Sequence, residues 1–122
     1  MEEHLDRKMI VVKAGDTKSW TLSFNDEEKK AKDITDWIIY FTVKKSIKDD
    51  DKDALITKKI TEHSDPTKGK SQLNLAQVDT KDLNGGNYVF DIRIKTATSQ
   101  VFTMMEGVFT VSIPVRRTLN NG

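Results

Sequence analysis

Residues 18–24 read Lys-Ser-Trp-Thr-Leu-Ser-Phe, and this alternation constrains the fold more than any other feature of the chain. Successive side chains of an extended strand point to opposite faces. Trp20, Leu22 and Phe24 therefore share one face, and Ser19, Thr21 and Ser23 the other. The pattern returns with Tyr88, Phe90, Ile92 and Ile94 against Asn87, Val89, Asp91 and Arg93. It returns again with Phe109, Val111 and Ile113 against Thr110 and Ser112. Residues 37–43 gather Trp37, Ile39, Phe41 and Val43 on one face, although Ile38, Tyr40 and Thr42 leave the other face fairly apolar too. Shorter strands are expected at 9–13, 55–60 and 71–75. Turn-forming residues fall between the runs: Ala14-Gly15-Asp16, Asn25-Asp26-Glu27, Asp65-Pro66, Lys68-Gly69 and Asn84-Gly85-Gly86. Residues 27–33 lack an apolar stripe and read as a charged loop. Residues 77–83 have room for a single helical turn, with Asp79 or Thr80 as its cap. The expectation is an all-β antiparallel sandwich of about seven to eight strands.

Composition narrows the function classes. A chain of 122 residues corresponds to one domain, with a core expected over 9–117 and polar tails at 1–8 and 118–122. No apolar run approaches the roughly 18 residues of a membrane-spanning helix, and the acidic start does not read as a signal peptide. Cysteine is absent, which excludes disulfides, zinc-thiolate sites and cysteine nucleophiles. Twenty basic and nineteen acidic residues leave a formal charge of +1, so no global field favours nucleic acid or a membrane surface. Neither is expected as a partner.

Few residues suggest chemistry. His63-Ser64-Asp65 has the residue types of a hydrolase triad, but neighbours in sequence rarely converge as a triad must, and Asp65-Pro66 reads as a turn. Asp49, Asp51 and Asp53 have the opening spacing of a calcium loop. The glycine and the bidentate glutamate such a loop needs are replaced by Ala54 and Ile60, so an acidic hairpin loop is expected. Gly85-Gly86 lacks a phosphate-loop lysine and leads into a strand. The basic pairs Lys44-Lys45, Lys58-Lys59 and Arg116-Arg117 lie near acidic residues or at strand ends, as on an ordinary solubilising surface. No catalytic residue, cofactor or metal is expected, and the chain does not read as an enzyme.

Asn84-Gly85-Gly86-Asn87-Tyr88 has the spacing of a tyrosine corner, in which the Tyr hydroxyl bonds back to upstream backbone in immunoglobulin-like sandwiches. Phe90 then occupies the position where antibody domains place a cysteine, and Trp37 is expected to pack against it in place of a disulfide. With residues 37–43 beside residues 88–95, Ile38, Tyr40 and Val89 would face outward. They form a candidate apolar patch for protein contact.

The motifs in order resemble a phage virion module. They begin with Gly15-Asp16-Thr17, Asp33-Ile34-Thr35-Asp36-Trp37 and Val43-Lys44-Lys45, and continue through residues 54–61, residues 69–75 and Asp79-Thr80. They close with residues 86–93 and Gly107-Val108-Phe109-Thr110-Val111. This series is similar to the immunoglobulin-like N-terminal domain of phage baseplate upper proteins and to related small tail or head-fibre proteins, over roughly residues 9–117. Asp36 departs from the pattern, since such proteins often carry Gly before the tryptophan. A further departure is that no long coiled coil or receptor-binding region is expected after the module. The resemblance implies a non-enzymatic virion protein folded in the bacterial host cytoplasm. It would dock onto other phage structural proteins, at the baseplate or tail or as a head fibre or decoration, as a homo-oligomer or in several copies. A β-sandwich carbohydrate-binding module is the alternative, with Tyr40 and Phe102 as the rings left for a sugar.

Overall fold

The computed structural model describes residues 9–116 and, for Glu2–His4, the backbone. Eight strands form two sheets: β1 (Glu2–His4), β2 (Met9–Lys13), β3 (Lys18–Ser23), β4 (Ile38–Lys44), β5 (Ile56–Ile60), β6 (Lys70–Leu75), β7 (Gly86–Lys95) and β8 (Val101–Ser112). One sheet has three strands in the order β1-β3-β6, and the other has five in the order β2-β8-β7-β4-β5. Pairing is antiparallel except for β1 with β3 and β2 with β8. The molecule is an all-β sandwich of the immunoglobulin-like kind. The expected tail at 1–8 includes β1, whose backbone runs beside β3. Its other residues, and the tail at 118–122, lie outside the described residues.

The alternation sets what is buried. Trp20, Leu22 and Phe24 meet Ile39, Phe41, Val43, Phe90, Ile92, Ile94, Phe109 and Val111 in one core between the sheets. Burying such side chains stabilises by about 1.5–3 kcal/mol each relative to leaving them in water. The tyrosine corner is formed: the Tyr88 hydroxyl donates to the Asn84 carbonyl at 2.6 Å. Trp37 packs elsewhere than expected. Its ring meets Phe24 and Phe102 edge-on at 5.5 and 5.7 Å, whereas the partner of Phe90 is Phe41, at 5.9 Å. Trp37 immediately precedes β4 and so sits at the end of the sandwich, while Phe41, four residues on, lies at its middle.

The turn before β4 explains Asp36. Trp37 N–H donates to the Ile34 carbonyl at 3.0 Å, closing a four-residue turn whose third residue, Asp36, has φ +65°. Glycine enters that region without cost, and Asp is among the few other residues that tolerate it. Asp33 steadies the turn by accepting from the Thr35 amide at 2.9 Å and the Thr35 hydroxyl at 2.5 Å. Those two bonds hold its carboxyl below the usual carboxylate range.

The single helical turn (α1, Gln77–Thr80) starts from Ala76, so it begins three residues before the earlier of the two caps expected from the sequence. Asp79 lies inside it and reaches back, its carboxylate accepting from the Ala76 amide at 2.7 Å. Thr80 is buried, and its hydroxyl accepts from the Gly15 amide at 2.9 Å. The acidic loop between β4 and β5 is held from below. Lys44 Nζ donates to Asp51 at 2.7 Å and to the Asp49 carbonyl at 2.9 Å, while Asp49 accepts from the Ser46 amide. The ammonium holds the Asp51 carboxyl below its ordinary value, and Asp51 raises that of Lys44. These carboxylates bind their own loop, and among the described residues no group of three or more candidate ligands gathers as a metal site would require.

Candidate interaction surface

His63 does not turn toward Ser64 and Asp65. Its Nδ1 lies 2.8 Å from the Ser71 hydroxyl and its Nε2 lies 2.8 Å from the Trp37 carbonyl. A carbonyl only accepts, so in the neutral ring Nε2 carries the proton and Nδ1 accepts from Ser71. Ser71 is fully buried on β6, and Trp37 adjoins β4, so the imidazole ties one sheet to the other. Asp65 pairs through its backbone with Lys70. A second tie crosses the same side: Lys58 on β5 meets Asp79 of α1 at 2.8 Å. Together they border a hollow of about 440 Å³ between residues 58–64 and 72–74. The hollow lies between the edges of the two sheets, with Lys58 and His63 in its wall. Neither tie shows in sequence spacing, because the partners of His63 lie 8 and 26 residues from it, and Asp79 lies 21 residues from Lys58.

The outward face of the five-stranded sheet holds the expected patch residues. β4 pairs with β7, setting Ile38 beside Lys95 and Tyr40 beside Arg93. Val89 lies beside Lys44, four residues along β4 from Tyr40, or about 13 Å at the usual rise. Ile38 and Tyr40 are thus brought together, half-buried on a face where their cross-strand neighbours are Lys95, Arg93 and Lys59. Val89 belongs to another group.

That group crosses three strands. Val89 opposes Val108 on β8, and Val108 opposes Met9 on β2, with Val11 next along β2. Met9, Val11 and Val108 are 58%, 54% and 36% exposed, so this is solvent-facing apolar surface rather than core. The sequence concealed it because its residues come from three separate segments that only strand pairing brings together. Beside it lie Asp91 and Glu106, directly opposed on β7 and β8. Partial burial is the main cause that pushes the Asp91 carboxyl above the ordinary range; Glu106 adds to it, and Arg93 and Lys44 oppose it.

A carboxylate raised in the folded state destabilises the fold when ionised, and the cost is relieved as pH falls through the folded value. Asp33 and Asp51 are lowered, so their contributions disappear only in stronger acid. Melting temperature should therefore rise slightly as pH falls from neutral through the raised Asp91 range, and fall in stronger acid as Asp33 and Asp51 are protonated. Asp91→Asn should remove the rise and stabilise at pH 7 by less than about 1 kcal/mol, since solvent screens the half-exposed group. Scanning calorimetry of both proteins against pH tests this; a variant with an unchanged profile would refute it.

The rings proposed for a sugar platform are dispersed. Trp20 and Trp37 are buried, and Phe102 stacks edge-on against Trp37. Phe102 opposes Ile94, whose side chain is in the core, whereas Tyr40 faces outward on the other side of the sheet.

No protein-family model matches the sequence, and no curated protein matches it. Similar solved structures are found at low identity. The N-terminal domain of phage TP901-1 ORF48 is 10% identical over 93% of this chain and 98% of that one, with a TM-score of 0.46. The soluble domain of PmoD from a Methylocystis species is 10% identical over 86% and 78%, with a TM-score of 0.50. The immunoglobulin-like domain of mouse leukocyte-associated immunoglobulin-like receptor 1, solved as a strand-swapped dimer, is 11% identical over 88% and 92%, with a TM-score of 0.47. Likeness at this level is one of fold, and function has to be argued from the surface.

Proposed function

We propose that the chain is a non-enzymatic structural protein of a phage particle, an immunoglobulin-like module that attaches to other particle proteins through the outward face of its five-stranded sheet. The observation that carries this reading is the chemistry of that face. Ile38 and Tyr40 stand side by side on β4, and a second apolar group spans β2, β8 and β7, where a sheet serving only to close a core would be polar throughout. The order of motifs over residues 9–117, similar to that of phage baseplate upper proteins, supplies the particle. An apolar, partly aromatic centre within a polar rim is the usual makeup of a protein contact.

Ile38→Ser with Tyr40→Ser should leave the fold intact, because both side chains lie outside the core. The pair should reduce incorporation into particles to about one-tenth or less, as loss of central interface contacts commonly does. Quantifying the protein in purified particles decides the matter. Normal stoichiometry in mutant particles would end the role of this face.

A further inference from the structure

We propose that β2 is a self-pairing edge: two copies of this chain join antiparallel along Met9–Lys13, about a two-fold axis at Val11, and continue the five-stranded sheet through the dimer. This deepens the attachment role by specifying how copies of the module associate.

The backbone supplies the first argument. Ala14 N–H donates to the Ser112 carbonyl at 2.8 Å, toward β8. Backbone groups alternate sides along a strand, so Ile10 and Val12 also turn toward β8, while Met9, Val11 and Lys13 turn theirs outward. Among the described residues no strand pairs with that side of β2. An axis at Val11 sets Met9 against the other copy's Lys13 and Val11 against the other copy's Val11, and all are outward-turned residues suited to hydrogen-bonded pairs. Ile10 and Val12, both buried, then face the other copy's Val12 and Ile10 and extend the apolar interior across the join.

The two edges of this sheet differ. β5 carries Lys58 and Lys59, and charge along an edge discourages a further strand. β2 instead exposes Met9 and Val11, with one lysine at its end. Charge then selects a second copy as the occupant. Along the outward face, Glu106 and Asp91 lie past the Met9 end, the apolar group is in the middle, and Lys13 is at the far end. A two-fold axis reverses this gradient, so each copy's Lys13 is brought toward the other's acidic end, and the surface complements itself.

Sedimentation equilibrium of the purified protein tests the proposal without particles. The wild type should form a reversible dimer. Val11→Glu and Val11→Lys should each raise the dissociation constant about 100-fold or more, because like charges would meet on the axis. An equimolar mixture of the two should recover a dimer containing one chain of each, seen by native mass spectrometry. Thr57→Glu, on the opposite edge, should dimerise as the wild type does, as should the Ile38→Ser/Tyr40→Ser protein. Circular dichroism should show every variant folded, since Val11 and Thr57 are exposed. A wild type that stays monomeric at millimolar concentration would overturn the proposal. So would a Val11→Glu dimer of wild-type strength, a mixture that stays monomeric, or a dimer lost on changing Thr57. Loss of particle incorporation with dimerisation intact would separate the attachment face from this edge.

Discussion

Gly69→Ala is expected to destabilise the protein by about 4 kcal/mol or more, at the far end of what a single methyl group does. Gly69 has φ +69°, and a Cβ there would lie 2.6 Å from the Lys32 carbonyl oxygen and closer still to that of Phe24. Neither oxygen can retreat cheaply. The Phe24 amide donates to the Gly69 carbonyl at 2.8 Å, and the Lys32 amide donates to the Phe24 carbonyl at 3.0 Å. Gly69 N–H is held by Pro66, whose carbonyl also receives the Ile34 amide at 2.9 Å. Three segments thus cross where only a hydrogen fits. Gly15→Ala makes a control for backbone strain, since φ is +87° there but the nearest atom to a new Cβ is 3.8 Å away. That variant should lose only about 1–2 kcal/mol. Urea unfolding of both separates steric exclusion from conformational strain; equal losses would show that the crossing at Gly69 relaxes.

Phe41→Ala is expected to cost about 3–5 kcal/mol. Phe41 is fully buried and its ring contacts Phe90 and Phe109 at 5.9 and 6.2 Å, joining β4, β7 and β8 under the sheet. Antibody domains set a disulfide near the position of Phe90, and here packing does that work. A domain of this size usually has about 5–15 kcal/mol in total, so the loss would be a large share of it. Trp37→Ala should cost less, because the ring lies at the end of the sandwich beside half-exposed Phe102. If equilibrium unfolding ranks the two variants the other way, the centre of the core lies nearer Trp37 than its packing indicates.

Much of the fold was legible because it follows from period and turn chemistry. Trp20, Leu22 and Phe24 could face one way only, and Asn84 to Tyr88 carried a local bond four residues long. The position of Trp37 was not legible. Alternation assigned it to the inward set but could not place it along the sandwich, which depends on where β4 lies against β3 and β8. The role of His63 was hidden likewise, since its partners are Ser71 of β6 in one sheet and Trp37 just before β4 of the other.

The candidate surface divides on the same principle. Ile38 and Tyr40 are two apart on one strand, so their adjacency is a property of the chain. Grouping Val89 with them required the pairing register, and that register sets it against Lys44 and Val108 instead. Alternating side chains and turn residues thus determined by themselves that this chain forms a two-sheet sandwich, and which residues line its core. Only the tertiary structure decided that Met9, Val11, Val89 and Val108 share one exposed surface beside an edge that no strand pairs with among the described residues. Local sequence dictates which way a side chain points, but its neighbours are set by which strands pair, and in what register, when the whole core is buried together.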